Sequence, residues 1–150
     1  MYRYDYIQIP QLPLLGPNYL HQIIRNVYEA IVGEATAAEF YSRLLQEAPD
    51  DLHREFIEHA RDDELEHLHA FIRLYCYLTG QMPQYNITPV VYSSYKEGIL
   101  MALEDELKAG EFYRNIQLST TDKLIRDTFY YAMVDELQHA TMFSTLYNTI

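Results

Sequence analysis

The stretch ARDDELEHLHAF at residues 60–71 returns as AMVDELQHATMF at residues 132–143. Both copies contain the pattern Asp-Glu-Leu-x-His, in which the Glu and the His lie three residues apart. That spacing places the two side chains on one face of a helix, where both can reach the same ion. The rest of the chain is therefore interpreted around these two stretches.

The two stretches belong to a longer internal repeat, in which residues 28–76 align with residues 100–148 without a gap. Of the 49 aligned positions, 17 are identical. Apolar residues in both units advance by alternating steps of three and four, which is the spacing of one helix face. Each unit is therefore predicted to be a helical hairpin that the chain uses twice.

The periodicity predicts an all-α protein with four long helices, near 18–47, 51–79, 93–118 and 121–149. Asn18, after a proline, is the expected cap of the first helix, and Gly80 the expected end of the second. Ser94 with Glu97 is typical of a capping box before the third helix.

The connection between the hairpins predicts the topology. Residues 80–92 are too long for a tight turn, and about 13 extended residues at ~3.3 Å each reach about 43 Å. A helix of about 28 residues has nearly the same length. The connection can therefore cross the whole bundle and place the third helix parallel to the second, as in ferritin-like bundles. Residues 1–17 fit neither unit and are predicted to be an arm, which leaves residues 18–150 as the bundle.

Composition excludes several classes of protein. The chain has 150 residues with 11 Lys and Arg against 22 Asp and Glu, a net charge of -11, which argues against a nucleic-acid partner. Cys76 is the only cysteine, so an internal disulfide and a Cys-x-x-Cys metal site are excluded. No apolar run is long enough for a membrane span or a signal peptide, and we expect a cytoplasmic protein.

Six polar residues occupy helix positions whose neighbours three and four residues away are apolar or small. They are Glu34, Glu64, His67, Glu106, Glu136 and His139. An uncompensated buried carboxylate costs several kcal/mol, and no Lys or Arg shares these positions. Four buried carboxylates would either take up protons or need cations, and two divalent metal ions supply four positive charges. An oxygen-rich site with one imidazole per ion favours iron or manganese over zinc.

Two further sequence features bear on this site. Glu66 and His69 repeat the Glu-x-x-His spacing but lie on the opposite face of the helix, so we expect them to be solvated. Glu39 and Glu111 occupy equivalent positions in the two units, yet they point away from the helix face of the six polar residues. They are expected to be surface or interhelical residues. Small residues are expected to leave space near the site, namely Ala38, Ala60, Gly110 and Ala132.

The sequence resembles the ferritin-like di-iron carboxylate proteins, and most of all the four-helix domain of the rubrerythrins, over about residues 20–148. The resemblance rests on four motifs: Glu34-x-x-Ala37-x-x-x-Tyr41, Asp63-Glu64-x-x-His67, Glu106-x-x-Ala109-x-x-x-Tyr113 and Asp135-Glu136-x-x-His139. It implies two iron ions per chain, with manganese as the alternative. Each His would bind one ion, Glu34 and Glu106 would be terminal ligands, and the remaining two Glu would bridge the ions.

The resemblance also implies roles for four neighbouring side chains. Asp63 and Asp135 would hydrogen-bond the metal-binding imidazoles, although each would otherwise be a solvated helix residue. Tyr41 and Tyr113 would touch the ligand carboxylates, although each would otherwise be an ordinary core aromatic. Rubrerythrins usually carry a further Glu at the position of Ala109. The equivalent position in the first unit is Ala37. This departure puts a seventh ligand, and the peroxidase mechanism that uses it, in doubt.

Three functions follow as hypotheses. The first is a di-iron enzyme that oxidises Fe(II) or another donor with O2 or H2O2, and the second is a manganese site that disproportionates peroxide. The third is a metal-binding or iron-storing bundle without turnover. Because no rubredoxin domain accompanies the bundle, electrons would come from an external donor, and a homo-oligomer is expected.

Overall fold

The computed structural model describes residues 18–150, which form a bundle of four helices. The helices are α1, α2, α3 and α4, at Tyr19–Gln46, Asp51–Thr79, Tyr95–Leu118 and Lys123–Tyr147. The predicted all-α four-helix bundle is confirmed, and each boundary falls within two residues of its prediction. The predicted arm at residues 1–17 lies outside the described residues.

Side-chain caps begin three of the four helices. Asp50 accepts a hydrogen bond from the His53 N–H at 2.9 Å at the start of α2, and Asp122 accepts one from the Ile125 N–H at 3.0 Å at the start of α4. Ser94 accepts one from the Glu97 N–H at 3.2 Å. Each bond satisfies a backbone donor that the first turn leaves without a partner.

Two of the expected caps differ from their prediction. The side chain of Asn18 makes no cap hydrogen bond, although the residue occupies the cap position of α1. The Glu97 carboxylate accepts from the Ser93 N–H at 2.6 Å rather than from Ser94, so the reciprocal half of the capping box is shifted by one residue. Gly80 does end α2, in the left-handed conformation at φ 70°, which a residue with a side chain rarely adopts.

Contacts at one end of the bundle establish its topology. His53, at the start of α2, lies 2.8 Å from the Tyr95 hydroxyl at the start of α3 and 2.9 Å from the Thr149 hydroxyl after α4. The starts of α2 and α3 therefore share one end of the bundle, as predicted. The connection runs along α1, because Tyr28 donates to the carbonyl of Gln84 and Arg43 to that of Val90.

The helices pack mainly as hairpins, α1 on α2 and α3 on α4, and of the four pairs of helices in contact α1 and α3 make the smallest contact. One close approach between α1 and α3 depends on Gly98. A Cβ atom there would lie 2.6 Å from Leu44 Cδ2, which is buried, and 3.2 Å from the Tyr92 ring. A side chain at this position would therefore require Leu44 or the ring of Tyr92 to shift.

The apolar core is divided into two clusters. One contains Val27, Ile31, Phe71 and Phe129, and the other contains Phe40, Leu44, Ile57, Ile99 and Phe143, among others. The six buried residues predicted as metal ligands lie between these clusters along the bundle axis, whereas the buried His53 lies at the end of the bundle. Within residues 18–150, no helix is long and apolar enough to cross a lipid bilayer.

Candidate dinuclear metal centre

The structure brings all six predicted ligand residues together in the middle of the bundle. The exposed fraction of each residue is 2% or less. α1 and α3 contribute one carboxylate each, Glu34 and Glu106, and α2 and α4 each contribute a Glu and a His one turn apart. Within residues 18–150 no Lys or Arg forms an ion pair with these four carboxylates, so their burial needs a physical explanation.

The donor atoms fall into two overlapping groups, in each of which they lie within 4.8 Å of one another. The groups are Glu34, Glu64, His67 and Glu136, and Glu64, Glu106, Glu136 and His139. Each contains three carboxylates and one imidazole. Two carboxylates, from Glu64 and Glu136, belong to both groups, which is the position that bridging between two ions requires.

The separations between donors suit ions better than direct hydrogen bonds. His67 Nδ1 lies 3.4 Å from both Glu34 Oε2 and Glu136 Oε1, and His139 Nδ1 lies 3.2 Å from Glu64 Oε1. Charge-assisted N–H···O bonds are shorter, about 2.7–2.9 Å. Donors held about 2.1 Å from one ion, at angles of about 90–115°, are themselves about 3.0–3.5 Å apart.

Five of these buried atoms have no hydrogen-bond partner within residues 18–150: Glu34 Oε2, Glu64 Oε1, His67 Nδ1, Glu136 Oε1 and His139 Nδ1. Buried polar atoms are nearly always satisfied, so a group of five that face one another is unusual. The donor set of carboxylate oxygens and imidazole nitrogens fits a pair of divalent cations.

Two aspartates hold the outer nitrogens of the imidazoles. Asp135 Oδ2 lies 3.0 Å from His67 Nε2, and Asp63 Oδ2 lies 3.0 Å from His139 Nε2, so each bond joins α2 to α4. A proton held on Nε2 leaves Nδ1, which faces the carboxylates, as the nitrogen that would bind an ion, and the ring orientation is fixed. These are the contacts that the resemblance implied.

Two tyrosines hold the carboxylates of α1 and α3. The Tyr41 hydroxyl donates to Glu106 Oε1 at 2.5 Å, and the Tyr113 hydroxyl donates to Glu34 Oε1. Both rings are buried in the apolar clusters. Burial and the adjacent carboxylates raise the pKa of both hydroxyls well above the usual value, so they remain donors.

The protonation of each site residue depends strongly on the charge of its neighbours. Burial lowers the pKa of the imidazoles, but the adjacent carboxylates outweigh it and raise the pKa to about 11 for His67 and about 10 for His139. Burial, with the charge of Glu136, raises the pKa of Glu64 and Glu106 well above the usual range. Burial opposes ionisation of Glu136, yet contacts with Glu106 and both imidazoles lower its pKa to about 2. Without metal, protons are therefore the charges that keep these carboxylates buried.

A cavity of about 270 Å³ opens onto the site between α1 and α3. Its walls include Gly33, Ala37, Phe40, Val90 and Ala109, and its floor includes the four site carboxylates. Ala38, Ala60, Gly110 and Ala132, the small residues expected to leave space near the site, do not line this cavity. The cavity instead lies over Ala37 and Ala109, the two alanines at the positions considered for a seventh ligand.

The remaining sequence interpretations can be compared with the structure. Glu66 and His69 are exposed, as predicted. Glu39 binds Arg43 at 2.8 Å on α1, and Glu111 lies 3.2 Å from Arg114 at the surface, so neither contributes to the site.

Sequence reasoning missed His59. Its Nε2 lies 3.1 Å from Asp63 Oδ2, the oxygen that also binds His139. The spacing of four residues between His59 and Asp63 was a usable signal, because it places both on one helix face. Val90 was also missed as a wall of the cavity, since the path of the connection along α1 is not visible in helix periodicity.

Comparison with solved structures identifies the fold. A dodecameric thioferritin, the bacterioferritin-related protein from Bacteroides fragilis, superposes with a TM-score of 0.77 at 14% identity, covering 87% of this chain and 86% of that one. A two-domain protein from Anabaena variabilis, with DJ-1/ThiJ/PfpI-like and ferritin-like domains, gives 0.71 at 18% identity. That match covers 87% of this chain, which spans only 37% of the two-domain protein. The fold is therefore ferritin-like.

Comparison of sequences identifies a relative. No protein-family model matches the sequence. The uncharacterized protein YhjR of Bacillus subtilis (strain 168) is 33% identical over 121 residues, which make up 81% of this chain and 83% of YhjR. An alignment of this extent covers most of the bundle, and the chain therefore belongs to the same family as YhjR, with a ferritin-like fold.

Proposed function

We propose that this protein binds two iron ions between its four helices and that the loaded site oxidises Fe(II), or an external donor, with O2 or H2O2. The observation that carries the proposal is the group of five buried donor atoms that have no hydrogen-bond partner in the described part of the chain. Two divalent ions would satisfy these atoms and offset the four carboxylates. Manganese is the alternative metal, since it prefers the same oxygen-rich donors.

The proposed ligand roles follow from the two overlapping groups. Glu64 and Glu136 belong to both and would bridge the ions, whereas Glu34 and Glu106 each belong to one and would be terminal. His67 and His139 would bind one ion each through Nδ1. Two adjacent redox metals supply the two electrons that reduction of a peroxide requires.

The chain's own residues would prepare the site for small oxidants. Asp63 and Asp135 keep a proton on the outer imidazole nitrogen, so the inner nitrogen is free to bind. Tyr41 and Tyr113 orient the terminal carboxylates. The cavity between α1 and α3 gives O2 or H2O2 a route to the carboxylates past mostly apolar walls.

The decisive experiment is an anaerobic Fe(II) titration followed by stopped-flow mixing with O2 and, separately, with H2O2. We expect two Fe(II) per chain and oxidation that is faster than in protein-free buffer. Glu64→Ala removes a shared donor and should abolish stoichiometric binding. Glu66→Ala is the matched control, because Glu66 belongs to the same helix and the same spacing but is exposed.

Other outcomes would change the assignment. Retention of two ions by Glu64→Ala would refute the proposed site. Two bound ions without accelerated oxidation would favour binding or storage without turnover. Copurified manganese, with O2 release from peroxide, would favour disproportionation.

Three expectations accompany the proposal. The relative from Bacteroides fragilis is dodecameric, which supports a homo-oligomer here, and sedimentation would measure its size. We also propose an external electron donor and a cytoplasmic location. Fractionation of cells and reduction assays with the native extract would test these two points.

A further inference from the structure

The two halves of the site differ at one pair of repeat positions. His59 in α2 corresponds to Tyr131 in α4, each four residues before an aspartate that holds a site imidazole. Asp63 Oδ2 lies 3.0 Å from His139 Nε2 and 3.1 Å from His59 Nε2, so one oxygen serves two imidazoles. Asp135 Oδ2 lies 3.0 Å from His67 Nε2, and no second imidazole of the described chain lies within ion-pair distance of it.

The residues around this pair differ in the same way. The Tyr131 hydroxyl donates to Glu66 at 2.9 Å and so is directed away from Asp135. The repeat counterpart of Glu66 is Gln138, whose amide nitrogen lies 3.2 Å from His59 Nε2. Amide oxygen and nitrogen are nearly interchangeable in shape, so Gln138 can also present its oxygen to a proton on that nitrogen.

We infer that His59 makes the two proposed metal subsites unequal, because it weakens the subsite of His139 relative to that of His67. The inference rests on the proposed function. It identifies His59 as a positioning residue that acts through Asp63 and does not touch the ions.

The physical reason is competition for one carboxylate oxygen. A carboxylate that holds the outer N–H of a ligand imidazole raises the basicity of its inner nitrogen. When Asp63 also interacts with His59, less of its charge acts on His139. Asp135 acts on His67 alone, so His67 is the stronger donor. Carboxylates that hold a ligand imidazole in this way change metal affinity by about 10–100-fold. Because the His59 side chain is 49% exposed, we expect a difference in affinity of about tenfold between the two subsites.

The test uses Co(II), which is not readily oxidised by air and can be located by anomalous diffraction. Crystals loaded with one Co(II) per chain should show more cobalt beside His67 than beside His139. His59→Phe keeps an aromatic ring next to His139 but removes the nitrogen, and it should bring the two occupancies close together. Tyr131→Phe loses only the hydroxyl bond to Glu66 and should leave the wild-type preference unchanged.

A reciprocal variant strengthens the test. His59→Phe combined with Tyr131→His moves the second imidazole from Asp63 to Asp135, and cobalt should then prefer the subsite of His139. Calorimetric titration in solution should show the matching change in the weaker binding step. Equal occupancy in the wild type, or an unchanged preference in His59→Phe, would overturn this inference while leaving the proposed function intact. Failure of the wild type to bind cobalt at either position would overturn both.

Discussion

The two walls of the site differ in what they contribute. α2 and α4 contribute two shared carboxylates and both imidazoles, and two aspartate bonds cross between them. α1 and α3 contribute one carboxylate each, and beside these Ala37 and Ala109 leave a cavity. One wall therefore fixes donor atoms in place, while the other leaves room for a molecule to approach. The chemistry that we propose needs both properties in one site.

The largest effect should come from removing a donor that both ions share. Glu136→Ala, in the α2–α4 wall, should lose both ions, because Glu136 belongs to both donor groups. Glu34, in the α1–α3 wall, belongs to only one donor group, so the variant Glu34→Ala should retain roughly one ion per chain. Metal analysis after anaerobic dialysis measures the difference. Equal losses in the two variants would show that the walls do not have these separate roles.

Metal affinity should depend steeply on pH because of the α2–α4 wall. The pKa values of His67 and His139 are raised to about 11 and about 10, so both imidazoles are protonated at pH 7 in the metal-free protein. Binding through Nδ1 must displace these protons, so affinity falls with acid and rises as pH approaches 10. One proton per imidazole gives a change of at least about a hundredfold per pH unit for the two ions together, and protons displaced from Glu64 and Glu106 add to it. Calorimetry in buffers of different ionisation enthalpy would count the protons, and the absence of proton release would contradict the expectation.

A smaller effect should follow from loosening one imidazole of that wall. Asp135→Asn removes the charge that holds His67 Nε2 and should weaken metal binding about 10–100-fold. Asp127→Asn is the control, because Asp127 is exposed on the same helix. Competition with a chelator measures both. If the two variants bind metal alike, the aspartate bond does not orient the ligand.

The smallest effect on metal binding should come from the α1–α3 wall. Ala109→Leu fills part of the cavity and should leave metal affinity within about threefold of the wild type, since Ala109 provides no donor. Oxidation of the loaded protein by H2O2 should slow severalfold because the approach is narrower. Ala70→Leu, on the outer surface of α2 and α4, is the control. An unchanged oxidation rate in Ala109→Leu would show that oxidants arrive by another route.

Much of the fold could be predicted from the sequence because the information is local to each helix. The spacing of apolar residues gave four helices, and the offset repeat gave two hairpins. The positions of Glu34 and Glu64 in apolar stripes indicated burial, since a stripe has one inward direction. The opposite placement of Glu66 followed from helix geometry alone.

The rest depends on how the helices face one another. The cavity lies over Ala37 and Ala109 rather than Ala60, on the side where α1 and α3 contact each other less than α2 and α4 do, and the sequence of a single helix does not contain that information. The contact between His59 and Asp63 depends on the side-chain rotamers that the two residues adopt at the surface of α2, and their spacing does not determine these rotamers. The place of Val90 beside the cavity depends on the route of the connection along α1.

Gly98 carries no chemistry, yet it lies where α1 and α3 approach each other closely. α1 and α3 meet at this glycine, where a Cβ would collide with the buried Leu44 side chain. Eight residues of helix, about 12 Å, separate Gly98 from Glu106. A larger residue at Gly98 would have to displace the Leu44 methyl group or move α3 away from α1. Where Leu44 does not yield, one added methyl group near the end of the bundle would reach the acidic groups of the site only through a movement of α3.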